Sequence, residues 1–216
     1  MRNSSTPPQG RAGLGQRLFA FWYAQADPLQ FDRTFEAIKR RLLADLSGDV
    51  LEIGPGTGTN FAYFQPGIHW IGAEPNLFMH QHLRRTARRA GLTAPDIRPL
   101  SVEHLDLPDE SVDVVVSTHV MCSVNDQPRA LGEIRRVLRP GGRFVFLEHV
   151  AAPRGTWLRR AQNTIRPVWA AVGDGCYPNR ETWAAISSAG FSSVNIEHFD
   201  VPLPIAGPHI AGYAVK

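Results

Sequence analysis

Apolar residues recur at helical spacing from the start of the chain. Leu14, Leu18, Phe21 and Trp22 share one stripe, with Arg17 and Gln25 off it. That spacing predicts a short amphipathic helix that closes before Pro28. Phe35, Ile38, Leu42 and Leu46 predict a second helix over about 31–46, ended by Ser47-Gly48-Asp49. Beyond it, strand-like and helix-like runs alternate. Strands are expected at 49–53, 69–73, 97–101, 112–117, 143–149, 193–199 and 209–215. Helices are expected near 57–64, 77–90, 128–138, 156–172 and 179–189. The runs at 112–117 and 143–149 are apolar and rich in β-branched or aromatic residues, as in strands buried on both faces. The alternation predicts an α/β chain with a mostly parallel sheet and helices on both faces. Pro202, Pro204, Gly207 and Pro208 separate the last two runs, so the final strand is expected to return antiparallel.

The length of 216 residues suits one domain, here over 16–216 with an N-terminal helical lid at 16–46. Residues 1–15 are rich in Ser, Pro, Gly and Arg and read as a disordered tail. The formal charge of +3 is small beside 23 basic and 20 acidic side chains, and argues for no polyanionic partner. Arg84, Arg85, Arg88 and Arg89 read as a solvated helix face. No aromatic residue is interleaved among them for base stacking, so no nucleic acid partner is expected. The apolar run Leu18–Ala24 falls far short of the roughly 20 residues needed to span a bilayer. No secretory signal is legible, and the expected location is the cytoplasm. Only two cysteines are present, which excludes a disulfide-built scaffold.

Candidate chemistry begins at Gly54-Pro55-Gly56-Thr57-Gly58, which follows a strand and opens a helix-like run. Gly54 allows a tight exit from the strand, Gly56 a close backbone approach to a ligand, and Gly58 packing on the sheet. Glu52 lies inside an otherwise apolar strand, where a carboxylate needs a partner. Glu74 stands twenty residues beyond Gly54, where an acid accepts hydrogen bonds from ribose hydroxyls. A dinucleotide site would usually place its third glycine at position 59, which is threonine here. The turn therefore favours a nucleoside without pyrophosphate.

In order, these segments resemble class I S-adenosylmethionine-dependent methyltransferases. Glu52 to Gly58 resembles their first motif, and Glu74-Pro75-Asn76 with Met79 their ribose and adenine motif. Ser101-Val102-Glu103 with Leu107 to Asp113 resembles the third, and Leu138 to Gly142 the turn before the fifth strand. A narrower resemblance lies in Val120 to Val124, Glu148 to Ala152, Asp174-Gly175-Cys176 and the ending Pro208 to Lys216. These are similar to the microsomal thiol S-methyltransferases of animals, which methylate hydrogen sulfide and small alkyl thiols and carry a hydrophobic N-terminal anchor.

The resemblance implies a Rossmann-like seven-stranded sheet with the last strand antiparallel, and S-adenosyl-L-methionine as cofactor. It implies that Gly54, Gly56 and Gly58 line the cofactor while Glu52 organises their loop. Asn60, Pro75, Asn76 and Ser101 belong to the same cofactor motifs, and Glu74 would hold the ribose. Met79 and Val102 would sandwich the adenine, Glu103 would meet its edge, and Thr118 and His119 would border the methionine moiety. The acceptor is expected to be a small molecule, a thiol first.

On the acceptor side, His149 is the first candidate for a base or thiolate-stabilising group. His119, Asp174 and Cys176 are the further catalytic candidates, and His209 lies with Asp174 and Cys176 in the motifs shared with the thiol family, as a further residue expected to touch substrate. Cys122 and Cys176 read as small buried hydrophobes rather than a redox pair or a metalloid site, since two thiols without a third ligand make a poor metal site. No metal is expected. Two other readings stand beside thiol methylation. One is a lipid or quinone acceptor reached by peripheral membrane contact through the aromatic N-terminal helix. The other is a nucleotide-binding module without turnover.

Overall fold

The computed structural model describes residues 12–25, 28–92 and 94–216. Residues 1–11 of the expected tail lie outside that description, as do the side chains of Trp22 and Tyr23. Helix α1 (Ala12–Gln25) takes in residues 12–15, which corrects the expected end of the tail. Leu14 falls one turn before Leu18 and carries the apolar spacing back. Helix α2 (Pro28–Leu43) starts and stops about a turn earlier than expected. Proline suits the first turn, where its missing N–H leaves no bond unmade.

The strands are β1 (Asp49–Ile53), β2 (His69–Ala73), β3 (Asp96–Arg98), β4 (Val112–Thr118), β5 (Leu138–His149), β6 (Ser193–Asp200) and β7 (Pro208–Val215). They form one seven-stranded sheet in the order β3-β2-β1-β4-β5-β7-β6. The pairs β1–β2, β1–β4, β2–β3 and β4–β5 are parallel. Strand β7 runs antiparallel to both of its neighbours. The remaining helices are α3 (His80–Arg89), α4 (Gln127–Val137), α5 (Trp157–Val172) and α6 (Thr182–Ser188).

Alternate residues of the central strands serve two cores. Val50, Val114, Val116 and Val145 pack with Leu43 of α2 on one face. Leu51, Ile53, Val115, Phe144 and Phe146 pack with Leu131 and Ile134 of α4 and Ile186 of α6 on the other. Burial on both faces explains the unbroken apolar runs in these strands. Among the described residues, no helix is long and apolar enough to cross a membrane.

Three expectations need correction. The helix expected at 57–64 is a single 3-10 turn, Thr59–Ala62. Gly56 and Gly58 hold φ of 56° and 83°, a left-handed loop that delays any helix. Strand β5 begins at Leu138 rather than 143. Leu138 pairs with Val112 and Arg143 with Val114, so Arg139 to Gly142 bulge out between two paired stretches. The third strand ends at Arg98, and Ser101 instead bridges to His104 in a local turn.

Two consequences position a site. Strand order reverses between β1 and β4, which opens a crevice beyond their carboxyl ends. The antiparallel β7 brings its first residues to that same edge, with His209 directly opposite His149.

Candidate active site

A cavity of about 980 Å³ lies in this crevice. That is the upper range of small-molecule sites, roomy enough for a nucleoside cofactor and a small acceptor.

One half is built around two buried carboxylates. Glu52 accepts hydrogen bonds from Asn60 Nδ2 and Trp70 Nε1, each at 2.8 Å. Burial pushes its pKa up to about 7, against those bonds and the nearby charge of Lys39. Asn60 Nδ2 also donates to Thr118 Oγ1 at 3.0 Å, which links β1 to the end of β4. Glu74, just beyond β2, accepts the backbone N–H of Gly56 at 3.0 Å and of Asn76 at 2.8 Å. Burial raises its pKa despite both bonds. Gly54 has a φ of 54°, and a Cβ there would stand 2.7 Å from a Val120 methyl. Met79, Val102 and Pro75 give apolar walls. Glu103 accepts the Asp126 N–H at 2.7 Å, and Ser101 Oγ accepts the Glu103 N–H at 3.3 Å. Helix α1 reaches this half, since Asn76 Nδ2 donates to the Gln16 carbonyl at 3.2 Å.

Gly58 is the expected cofactor residue that does not line the cavity. A Cβ there would meet the Phe61 ring at 2.6 Å and Leu83 at 2.9 Å. Its bare backbone serves packing beneath the turn.

The other half is made of imidazoles and sulfur. His119 follows β4 with φ of 57°, His149 ends β5 and His209 opens β7. Ring centroids lie 5.3 Å apart for His119 and His209, and 6.2 Å for His149 and His209. Phe35 of α2 packs 4.9 Å from both His119 and His209. His209 Nδ1 donates to the Gly207 carbonyl at 2.9 Å, so its bare Nε2 is an acceptor. That Nε2 is buried with no partner among the described residues. Burial, helped by the other imidazoles, holds His209 down at about 4 and His119 well below the usual histidine range. His149 Nε2 stands 3.0 Å from Cys176 Sγ. Contact with Cys122, then burial, pushes the Cys176 thiol well up, so it is the proton donor to His149.

Asp174, expected beside the reacting atoms, bonds to the Asn76 side chain instead and so belongs to the first half. Its φ of 49° places it in a tight turn after α5. Two buried residues were missed in the sequence. Lys39 donates to Thr59 Oγ1 at 3.2 Å and is only 4% exposed. Its signal was a lone lysine between Phe35 and Leu43 on the apolar stripe of α2. Glu148 is fully buried and accepts from Ser117 Oγ and from the N–H groups of Val120 and Met121, so it fixes the loop that carries His119 and Cys122. Its signal was the one already read at Glu52, an acid inside an apolar strand.

Residues 51–146 match the family described as "Methyltransferase domain". Aligned over 205 positions, the chain is 39% identical to thiol S-methyltransferase TMT1B of Homo sapiens, with 86% of this chain and 81% of the relative covered. The chain belongs to the thiol S-methyltransferase family. Human thiol S-methyltransferase TMT1A is 42% identical over 171 residues, covering 77% of this chain and 70% of that one. The fold is shared with a SAM-dependent methyltransferase from Aquifex aeolicus, at a TM-score of 0.59 and 15% identity over 83% of this chain and 88% of the other. This member of the family is an S-adenosylmethionine-dependent methyltransferase.

The residues present fit that cofactor. The Glu74 carboxylate keeps free lone pairs after its two amide bonds, as a ribose diol requires. Asn60 Oδ1 is a buried acceptor without a partner among the described residues, suited to an ammonium group. The apolar pair Met79 and Val102 suits the faces of an adenine.

Proposed function

We propose that this enzyme methylates the sulfur of hydrogen sulfide or a small alkyl thiol. The observation that carries the reading is the acceptor half of the cavity, where thiols and imidazoles, His119 and His209 held neutral by burial, replace carboxylate or amide groups. Such a lining suits a soft, weakly hydrated nucleophile and offers little to an amine or carboxylate. The names of the two human relatives support the same substrate class.

When bound, S-adenosylmethionine supplies an electrophilic methyl group on a positively charged sulfur. In this proposal Gly54 and Gly56 present bare backbone to the cofactor, Glu52 and Asn60 hold the loop, and Glu74 takes the ribose. Met79 and Val102 flank the adenine, Glu103, Ser101, Pro75 and Asn76 border it, and Thr118 and His119 border the methionine moiety. Asp174 braces Asn76 from above.

His209 Nε2 accepts the S–H of the acceptor thiol and turns a sulfur lone pair toward the cofactor half. A base this weak does not ionise a free thiol, whose pKa is near 8.5. It does not need to, because the S–H turns strongly acidic once its sulfur begins a new bond to carbon. His149 and Cys176 close the far wall and keep water out, which leaves the sulfur poorly solvated. Keeping His119 and His209 uncharged also avoids repulsion of a cationic cofactor.

Peripheral membrane contact is the second part of this reading. Leu18 and Phe21 of α1 are 50% and 56% exposed, and Leu77 and Phe78 beside Asn76 are 63% and 42% exposed. The Asn76–Gln16 bond joins the two groups at the cavity rim. Liposome flotation of the parent and of a variant with these four residues changed to serine tests the contact.

A labelled-methyl assay across hydrogen sulfide, alkyl thiols, phenols, amines and quinols, with products identified by mass, tests the substrate class. S-methyl products are expected. Transfer only to amines, phenols or quinols overturns the reading.

A further inference from the structure

Cys122, His149 and Cys176 come from three separate segments: the loop after β4, the end of β5 and the loop between α5 and α6. Their ligand atoms lie within 4.8 Å of one another. In a tetrahedral zinc site the donor atoms stand about 3.5–3.8 Å apart, as bond lengths near 2.1 and 2.3 Å require. Small side-chain rotations close that difference.

The spacing is held by the backbone. The Tyr177 N–H donates to the Cys122 carbonyl at 3.0 Å, which ties the two cysteine loops together. Glu148 fixes the Cys122 loop from below through the Met121 N–H at 3.2 Å. The ring nitrogen that would bind is already aimed into the cluster: His149 is 7% exposed, and its Nε2 faces Cys176 Sγ at 3.0 Å, so loading an ion needs that pair to widen by less than about 1 Å and the Cys176 proton to leave.

We propose that Cys122, His149 and Cys176 bind a single thiophilic divalent cation, zinc by chemistry, with its fourth position open to the acceptor half of the cavity. Two sulfurs and an imidazole select a borderline-soft ion over magnesium or calcium, which take oxygen ligands. Three protein ligands with one position facing a cavity is the arrangement of reactive zinc sites, whereas structural sites are closed by a fourth side chain. Loading releases both cysteine protons to solvent, and the two thiolates then balance the charge of the ion. An acceptor thiol that takes the fourth position passes its proton through His209 Nε2 to solvent and is held as a metal-bound thiolate. This last step rests on the thiol reading above; the binding of the ion does not.

The test uses the full chain, reduced and stripped with a chelator, and Co²⁺ as the spectroscopic probe. Thiolate-to-cobalt absorption and tetrahedral visible bands are expected to saturate at one equivalent and to bleach when Zn²⁺ is added. Cys122→Ser and Cys176→Ser should each weaken Co²⁺ binding by more than about tenfold, since a direct ligand outweighs an outer-shell one. His149→Gln should weaken it while keeping the thiolate absorption. Unchanged S-adenosylmethionine affinity in calorimetry shows that the variants are folded. Adding ethanethiol should shift the visible bands of the cobalt form. Absence of thiolate absorption, its persistence in the Cys122→Ser/Cys176→Ser double variant, or an octahedral spectrum overturns the site. Bands that ignore ethanethiol overturn its open position. Thiol methylation that is equally fast in stripped and zinc-loaded chain removes the ion from catalysis and leaves the substrate proposal standing. Absence of thiol methylation in both forms sinks the substrate proposal and leaves the cobalt result to decide the site.

Discussion

Glu74 holds the glycine turn as well as facing the cavity: its Oε2 accepts the Gly56 backbone N–H at 3.0 Å. The end of β2 thus fixes the loop that leaves β1, and one carboxylate both shapes the glycine turn and lines the cavity. Replacing Glu74 with alanine removes both. The expected loss of S-adenosylmethionine affinity is about 1–3 kcal/mol, from donors left unpaired. Calorimetry that finds the parent affinity would dismiss that role.

Gly58 should behave differently. A methyl group at φ 83° meets the Phe61 ring, so Gly58→Ala is expected to lower thermal stability by about 1–3 kcal/mol. Its cost in cofactor affinity should be smaller than that of Glu74→Ala, because the glycine lies under the turn. A variant that melts like the parent but binds cofactor poorly would reverse this assignment.

Glu148 gives a prediction in pH. Burial raises its folded pKa to about 7, above the ordinary 4.5. The folded state therefore holds the proton more tightly, and this group's contribution is complete below pH 4.5 and lost as pH rises through about 7. Its size scales as about 1.4 kcal/mol per unit of pKa difference. Glu148→Gln cannot titrate. The melting temperature of the parent should fall relative to that variant between pH 4.5 and 7, then run parallel to it. A constant difference across that window would show that Glu148 is not protonated in the fold.

His209 has the opposite sign. Its folded pKa of about 4 lies below the ordinary 6.5, so its contribution is present above pH 6.5 and is lost as pH falls through about 4. In a proton NMR titration its ring signals should move with a midpoint near 4, whereas an exposed histidine moves near 6.5. A midpoint near 6.5 for His209 would place it in water.

The same residue should separate turnover from binding. His209→Ala is expected to lower kcat on a thiol acceptor by about a hundredfold, the lower range for a positioned proton acceptor, with little change in cofactor affinity. His149→Ala should follow it in direction. Single-turnover rates equal to the parent would remove His209 from the chemistry.

The hydrophobic pattern by itself determined the parallel sheet, because the parts of a strand buried on both faces must be apolar, as at Val114 to Val116. The glycines and acids of the sequence made one half of the cavity legible. Glu52, the glycine turn and Glu74 lie close along the chain, and the βα geometry they require is local. The pattern failed at Thr57 to Phe64, where left-handed glycines outweighed helical spacing, and at the bulge before Arg143, where pairing with β4 set the strand's start. Only the tertiary structure decided the acceptor half. His119, His149, His209, Cys122 and Cys176 meet because strand order reverses beside β4 and β7 returns antiparallel, so residues distant along the chain share one edge. Burial there keeps His119 and His209 neutral, and no spacing in a sequence records how much water a fold excludes.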